Sequence, residues 1–157
     1  MGLDEQGLCA VLIADQRQQV IDELVRSFPL ATISQQQEQQ QALLAALLQC
    51  LDNPQLPLAL PLSLHGTDFQ QAVWLKLQEI PLGQTVDYAS IAASLGRPKA
   101  YRAVASACAA NKLAIIIPCH RVVRKNGQLA DYRWGLWRKQ ALLARERKLL
   151  AKCTIAE

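Results

Sequence analysis

Residues Arg102 to Arg124 read RAVASACAANKLAIIIPCHRVVR, and both the fold and the chemistry turn on this stretch. Its first half is a helix of small residues ending near Asn111. Arg102, Ala105, Ser106 and Ala109 share one face at i, i+3, i+4 and i+7, while Val104 and Cys108 lie one turn apart on another and face the core. One long cation therefore stands among tiny side chains. A helix that reads base edges in the major groove carries several long polar residues. This one can only approach closely, which suits a backbone or a minor groove. Packing of a small-residue helix against another helix is the competing reading, and the basic charge nearby favours DNA. The β-branched run Ile115-Ile116-Ile117 predicts a buried strand, and Pro118-Cys119-His120-Arg121 follows where it ends. Positive charge beside Cys119 favours its thiolate. Adjacent side chains on a strand point to opposite faces, so contact between Cys119 and His120 needs a turn or an intervening water.

Upstream, Thr67 and Gln70 form a capping box ahead of apolar Phe69, Val73 and Leu77, and Pro81 and Gly83 end that helix. Asp87 caps the next, which runs to Leu95 and stops at Gly96. Pro98 fits the first turn of the small-residue helix. Two short helices across a glycine-bearing turn make a helix-turn-helix pattern. Downstream, Asn126-Gly127 marks a tight turn, and Trp134–Ala151 is a final helix with Leu142, Leu143, Leu149 and Leu150 on its inner side. The first third of the chain is more weakly patterned. Gly7–Ala14 reads as one strand. Ile21, Leu24, Val25 and Phe28 recur at helical spacing and Pro29 closes that helix. Gln35–Gln41, six glutamines in seven residues, reads as an exposed loop or helix start without function. Leu43, Leu44, Leu47, Leu48 and Leu51 give a second helix. Asp52–Pro61, with Pro54, Pro57 and Pro61, is a linker and the expected domain boundary.

The chain has 157 residues, 51% of them hydrophobic and 19% charged. That fits one globular domain, or one with a small appendage, large enough to need no disulfide or metal staple. Disorder, collagen and coiled coil are excluded. No apolar run approaches the roughly 20 residues of a membrane span, and Asp4 and Glu5 stand where a signal peptide needs positive charge. A cytoplasmic, nucleoid-associated protein is expected. The net charge of +4 hides an asymmetry: residues 1–83 hold 3 Lys/Arg and 9 Asp/Glu, whereas residues 84–157 hold 14 and 4. A basic half points to a polyanion, most often nucleic acid. Five cysteines, widely spaced and never in a C-x-x-C pair, fit a reducing compartment. Cys9, Cys50, Cys108 and Cys153 read as structural, and Cys119 as reactive. His65 and His120, the only histidines, lie outside zinc-ligand spacing.

The stretch Arg102–Arg124 resembles the O6-alkylguanine-DNA alkyltransferases, whose signature is Pro-Cys-His-Arg flanked by isoleucines and valines. The resemblance runs from Gly66-Thr67-Asp68-Phe69-Gln70 through Gly96-Arg97-Pro98-Lys99-Ala100 to Tyr132-Arg133-Trp134-Gly135, and ends in Arg138-Lys139 and Leu142–Glu146. It is close over about residues 66–148 and loose over 7–65. It implies an α/β (α+β) fold: a small, truncated N-terminal α/β domain, residues 1–62, then a mainly helical, winged helix-turn-helix-like domain, residues 63–157. It also implies a single-turnover methyltransferase that moves an alkyl group from O6-alkylguanine, with O4-alkylthymine a candidate, to Cys119. No cofactor or metal is expected, and the partner is double-stranded DNA holding alkylated bases. A base inside a duplex must be flipped out to react. By residue matching, Arg102 fills the vacated stack and Tyr88 helps rotate the nucleotide, with Ala105, Ser106, Ala109 and Arg121 also facing DNA. Asn111, His120 and Glu146 organise the site, His120 acting on Cys119 through a water. Tyr132 donates a hydrogen bond to the leaving guanine oxygen.

Two departures from the family carry expectations. The strand hairpin that precedes the Gly7–Ala14 segment in family members is missing, so Gly7–Ala14 is expected to expose an unpaired edge, with low stability or weak self-association. Asp131 stands where the family most often has Gly or Asn, and is expected to impair transfer without abolishing DNA binding. The alternative is a module that recognises alkylated DNA without repairing it; relatives of that kind replace the cysteine, which is retained here. A plain helix-turn-helix regulator needs a long-side-chain reading helix, and a cysteine hydrolase has no use for the basic half.

Overall fold

The polar turn Asp4-Glu5-Gln6-Gly7 folds the start of the chain into a hairpin. In the computed structural model, which describes residues 1–34, 37–52 and 60–154, β1 (Gly2–Asp4) pairs antiparallel with β2 (Gly7–Ala10). The Asp4 carboxylate closes the turn, accepting from the amides of Gln6 at 2.9 Å and Gly7 at 3.0 Å. Gly7 has φ +143°, and any side chain there would meet the Pro61 carbonyl. The other edge of β2 is also covered. Leu8 donates to the Pro61 carbonyl at 2.9 Å and accepts from Ser63 at 3.0 Å, and Val11 donates to Lys112 at 2.9 Å. The unpaired edge expected at Gly7–Ala14 is therefore corrected. Gly2–Asp4 supplies the partner strand, β2 is shorter than expected, and the premise for self-association through it falls away.

Helix α1 (Arg17–Ser27) ends against Phe28 and Pro29 as expected. Helix α2 (Gln37–Asp52) buries Leu43 and Leu47, but leaves Leu44 and Leu48 half exposed. Gln37–Gln41 form its first turn; Gln35, Gln36 and linker residues 53–59 lie outside the described residues, as do the side chains of Cys50 and Cys153.

The second part is built around helix ends that the sequence marks. Thr67 and Gln70 make both bonds of the capping box of α3 (Asp68–Gln78), which buries Val73, Trp74 and Leu77. The Asp87 carboxylate caps α4 (Tyr88–Ser94), accepting from Ala89 and Ser90. Gly96, at φ +70°, turns the chain toward α5 (Tyr101–Ala110), completing the helix-turn-helix pair. Pro98 does not open α5. It sits in a separate turn closed by the Ala100 amide on the Arg97 carbonyl at 2.8 Å, and the helix starts three residues later. Two short strands, β3 (Val86–Asp87) and β4 (Val122–Val123), pair in parallel. That pairing sets the start of α4 beside the residues that follow Cys119. Helix α6 (Leu136–Thr154) begins two residues later than expected, after Gly135 at φ +101°.

The isoleucine run is not a strand. Ile115 has φ +71°, a conformation that costs a β-branched residue. Ile116 donates back to Ala114 at 2.8 Å and Ile117 to Leu113 at 3.0 Å. The segment is a tight turn, and Cys119–Arg121 is one turn of 3₁₀ helix. At three residues per turn, Cys119 and His120 diverge by roughly 120° rather than pointing to opposite faces.

One hydrophobic cluster runs from Leu8, Leu43 and Leu47 through Trp74, Leu77 and Val104 to Ile117, Val122 and Trp134. The architecture is α+β, and among the described residues no helix is long and apolar enough to cross a membrane.

Candidate active site

Helix α5 presents the face its sequence dictates. Val104, Ala107 and Cys108 are buried, while Arg102, Ser106 and Ala109 are exposed. That small-residue face forms one wall of a cleft of about 580 Å³. Tyr88, at the start of α4, and the Ala130–Arg133 loop complete the walls, and Cys119 opens into it. Of the expected DNA-facing residues, Arg102, Tyr88, Ala105, Ser106 and Ala109 line this cleft. Arg121 does not. Its Nη1 donates to the Ile80 carbonyl at 2.6 Å and its Nε and Nη2 to Glu146, so it is turned inward as a structural cation.

Cys119 is 4% exposed. Burial pushes its thiol up; the Asn111 amide, which donates to Sγ at 3.1 Å, and the charges of Lys139 and Arg133 work the other way. Asn111 follows α5 directly, and its side chain also holds the turn before Cys119. Nδ2 donates to the carbonyls of Ile117 at 3.1 Å and Leu113 at 3.3 Å, and Oδ1 accepts from the Leu113 amide at 2.8 Å.

Behind the thiol lies a buried ion network. His120 Nε2 meets Glu146 Oε1 at 2.7 Å, and Glu146 also accepts from Arg121 and from the Gly83 amide at 3.0 Å. Burial alone would raise the Glu146 carboxyl, but His120 and Arg121 outweigh it and hold it at about 2. An ionised Glu146 favours the tautomer with a proton on Nε2, with Nδ1 turned away from the carboxylate. Nδ1 is buried and has no partner among the described residues, and the same holds for the Tyr132 hydroxyl. The Tyr132 ring lies edge-on to His120, with centroids 6.4 Å apart. Burial raises the Tyr132 hydroxyl strongly, so it is a neutral donor. Burial likewise raises Tyr88, to about 12.

The structure thus brings Cys119 and Tyr132 to the cleft, with Asn111 bonded to the thiol and the His120–Glu146 pair buried outside the lining, and adds residues the sequence reading passed over. Lys139 is fully buried, with Nζ donating to the Val122 carbonyl at 2.6 Å and to Ala130 at 3.3 Å. Burial lowers its ammonium, and the neighbouring Cys119 pulls it back up. Its signal was present in the sequence: Lys139 stands four residues before Leu143 and seven before Glu146, on the inner face of α6. Arg124, Arg133 and Tyr101 also line the cleft. Asp131 stands at its edge, exposed, and makes no hydrogen bond or ion pair with the described residues.

The model of the 6-O-methylguanine DNA methyltransferase DNA-binding domain matches residues 68–148. Over 142 residues the chain is 51% identical to the Escherichia coli bifunctional transcriptional activator/DNA repair enzyme Ada, which covers 90% of this chain and 40% of that protein. The chain therefore spans less than half of that relative. A crystal structure of Mycobacterium tuberculosis OGT in complex with DNA superposes with a TM-score of 0.63 at 42% identity, covering 68% of this chain and 67% of that one. The O6-methylguanine-DNA methyltransferase of Pyrococcus kodakaraensis gives a TM-score of 0.63 at 26% identity, over 85% and 82%.

Proposed function

Because the chain belongs to the 6-O-methylguanine DNA methyltransferase family, we propose that it takes an alkyl group from guanine O6 in duplex DNA and keeps it on Cys119. The flipped base enters the cleft between α5 and the Ala130–Arg133 loop, while Arg102 fills the gap in the stack and Tyr88 turns the nucleotide. The Cys119 proton passes through a water to His120 Nδ1, and Glu146 steadies the imidazolium that results. Sulfur attacks the alkyl carbon. The S–C bond forms as the C–O6 bond breaks, and the electron pair leaves on the base. Tyr132 donates to the leaving guanine and stabilises its developing charge, and the guanine takes back a proton. Cysteine and O6-alkylguanine become S-alkylcysteine and guanine, with no cofactor, and the protein is spent. The catalytic and DNA-facing residues all fall within residues 63–157, assigned here as the alkyltransferase unit, with residues 1–62 as an N-terminal appendage. Such a substrate puts the protein with the nucleoid in the cytoplasm.

One observation carries this reading: a buried thiol, bonded to Asn111 at 3.1 Å, opens into a cleft walled by the small-residue face of α5. Intact-mass and peptide analysis after incubation with an O6-methylguanine duplex tests it. One methyl on the peptide containing Cys119, with no turnover beyond one equivalent, is expected. Duplex binding without gain of mass would make the protein a lesion sensor, and a methyl on Cys108 would move the acceptor.

A further inference from the structure

Resting on the reading of Cys119 as an alkyl acceptor, we propose that Glu23 is a positioning residue of this site, acting through Arg133. Arg133 lies in the loop between Tyr132 and Trp134, and its side chain lines the cleft. Its guanidinium is committed in two directions. Nη1 donates to the Ala109 carbonyl at 2.9 Å, at the end of the DNA-facing helix α5, and Nη2 pairs with Glu23 on α1, 110 residues away in sequence. Its Cζ also lies over the Trp134 ring, 5.2 Å from the ring centroid. One planar fork thus joins three elements that share no backbone pairing: α1, the last turn of α5 and the loop that carries Tyr132. Both side chains of the pair are largely covered, at 23% and 21% exposure. A second tie repeats the pattern at the exit of the loop, where Arg138 pairs with Asp15 and donates to the Trp134 carbonyl at 2.7 Å.

With both ends engaged, Arg133 is not available to a DNA phosphate. It is a strut that fixes the wall of the cleft, and it keeps a positive charge where that charge lowers the Cys119 thiol. Without Glu23 the guanidinium keeps a single carbonyl bond, and Asp131 is the one acid among the described residues lining the cleft. The strut then swings inward and the Tyr132 loop loosens. A misplacement of about 1 Å in a reacting geometry costs up to ~100-fold in rate.

The test uses the full chain as wild type, Glu23→Gln and Glu23→Asp. Single-turnover methyl transfer is measured from an O6-methylguanine duplex and from free O6-methylguanine, together with duplex Kd and amide exchange of residues 130–135. Glu23→Gln should slow transfer about tenfold on both substrates, leave duplex affinity within about twofold, and speed exchange in the loop while α5 stays protected. Glu23→Asp should recover part of the rate. Wild-type rates with unchanged exchange would overturn the proposal, as would slowing confined to the duplex in step with lost affinity. If wild type transfers no methyl, the reading of Cys119 fails. The loop exchange of Glu23→Gln then decides the strut alone: faster exchange upholds it and unchanged exchange removes it.

Discussion

Asn111 and Cys119 are joined by a hydrogen bond of 3.1 Å from Nδ2 to Sγ, and the amide that makes it also fixes the turn between them. The Leu113 N–H on Oδ1 identifies which end of the amide is nitrogen, so the donor at the sulfur is assigned by the network. Replacing Asn111 by Ala removes the donor at Sγ and leaves the buried Leu113 N–H without its acceptor. A loss of about 1–3 kcal/mol in stability is expected, readable in urea melts. The alkaline rise of the single-turnover rate should move to higher pH, because the largest of the groups that oppose the effect of burial on Cys119 is then gone.

Arg102 is exposed at the rim of the cleft, above the small side chains of α5. Arg102→Ala should slow transfer from duplex by about 10–100-fold, the scale of the few kcal/mol that extrusion of a base requires. Transfer from the free base should stay within about twofold. Equal slowing on both substrates would place Arg102 in the pocket or in the fold.

Glu146 gives stability a defined pH dependence. Its carboxyl lies at about 2 in the folded protein against 4.5 ordinarily. A depressed acid contributes above its unfolded value and loses that contribution as pH falls through the folded one. The window is therefore from about 4.5 down to about 2, and at most about 3 kcal/mol is at stake. Thermal melts across that range should show a steep loss in wild type. Glu146→Gln should flatten it, while lowering stability near neutrality because Arg121 keeps a buried charge without its partner.

Asp131 is expected to bear on rate through charge. Its backbone is not in the left-handed region, where Ile115 is the one non-glycine residue found among those described, so Gly has no conformational advantage there. Asp131→Asn should raise the transfer rate modestly, because removing a negative charge near the thiol favours the thiolate, and tighten duplex binding slightly. Asp131→Gly should do no better. If neither changes the rate, the carboxylate is too well solvated to act on Cys119.

What could be read from sequence was local. The caps at Thr67 and Asp87 and the two faces of α5 each depend on spacings of two to seven residues, and each is found as expected. The errors also came from local rules. Three isoleucines look like a strand until the Asn111 side chain claims the carbonyls around them and Ile115 is driven to positive φ. The hairpin at Gly2–Asp4 was overlooked, although Asp4 followed by Gly7 is an Asx-turn signature. Lys139 enters the sequence reading only within the Arg138-Lys139 pair of the family pattern, with no sign that its ammonium is buried on two carbonyls. The His120–Glu146 bond spans 26 residues and rests on how α6 packs, which no local spacing encodes; family likeness pointed to both residues but not to their bond. The Glu23–Arg133 pair had neither source.

The depth of Cys119 bears on how long an unused molecule stays competent. Small electrophiles and oxidants in a cell consume thiols in proportion to access and to the fraction ionised. At 4% exposure, with burial holding the proton on sulfur, Cys119 is guarded on both counts until a base fills the cleft. Under the proposed single-turnover reaction, repair capacity then equals the number of chains made minus the number of lesions met, with little leakage to stray chemistry.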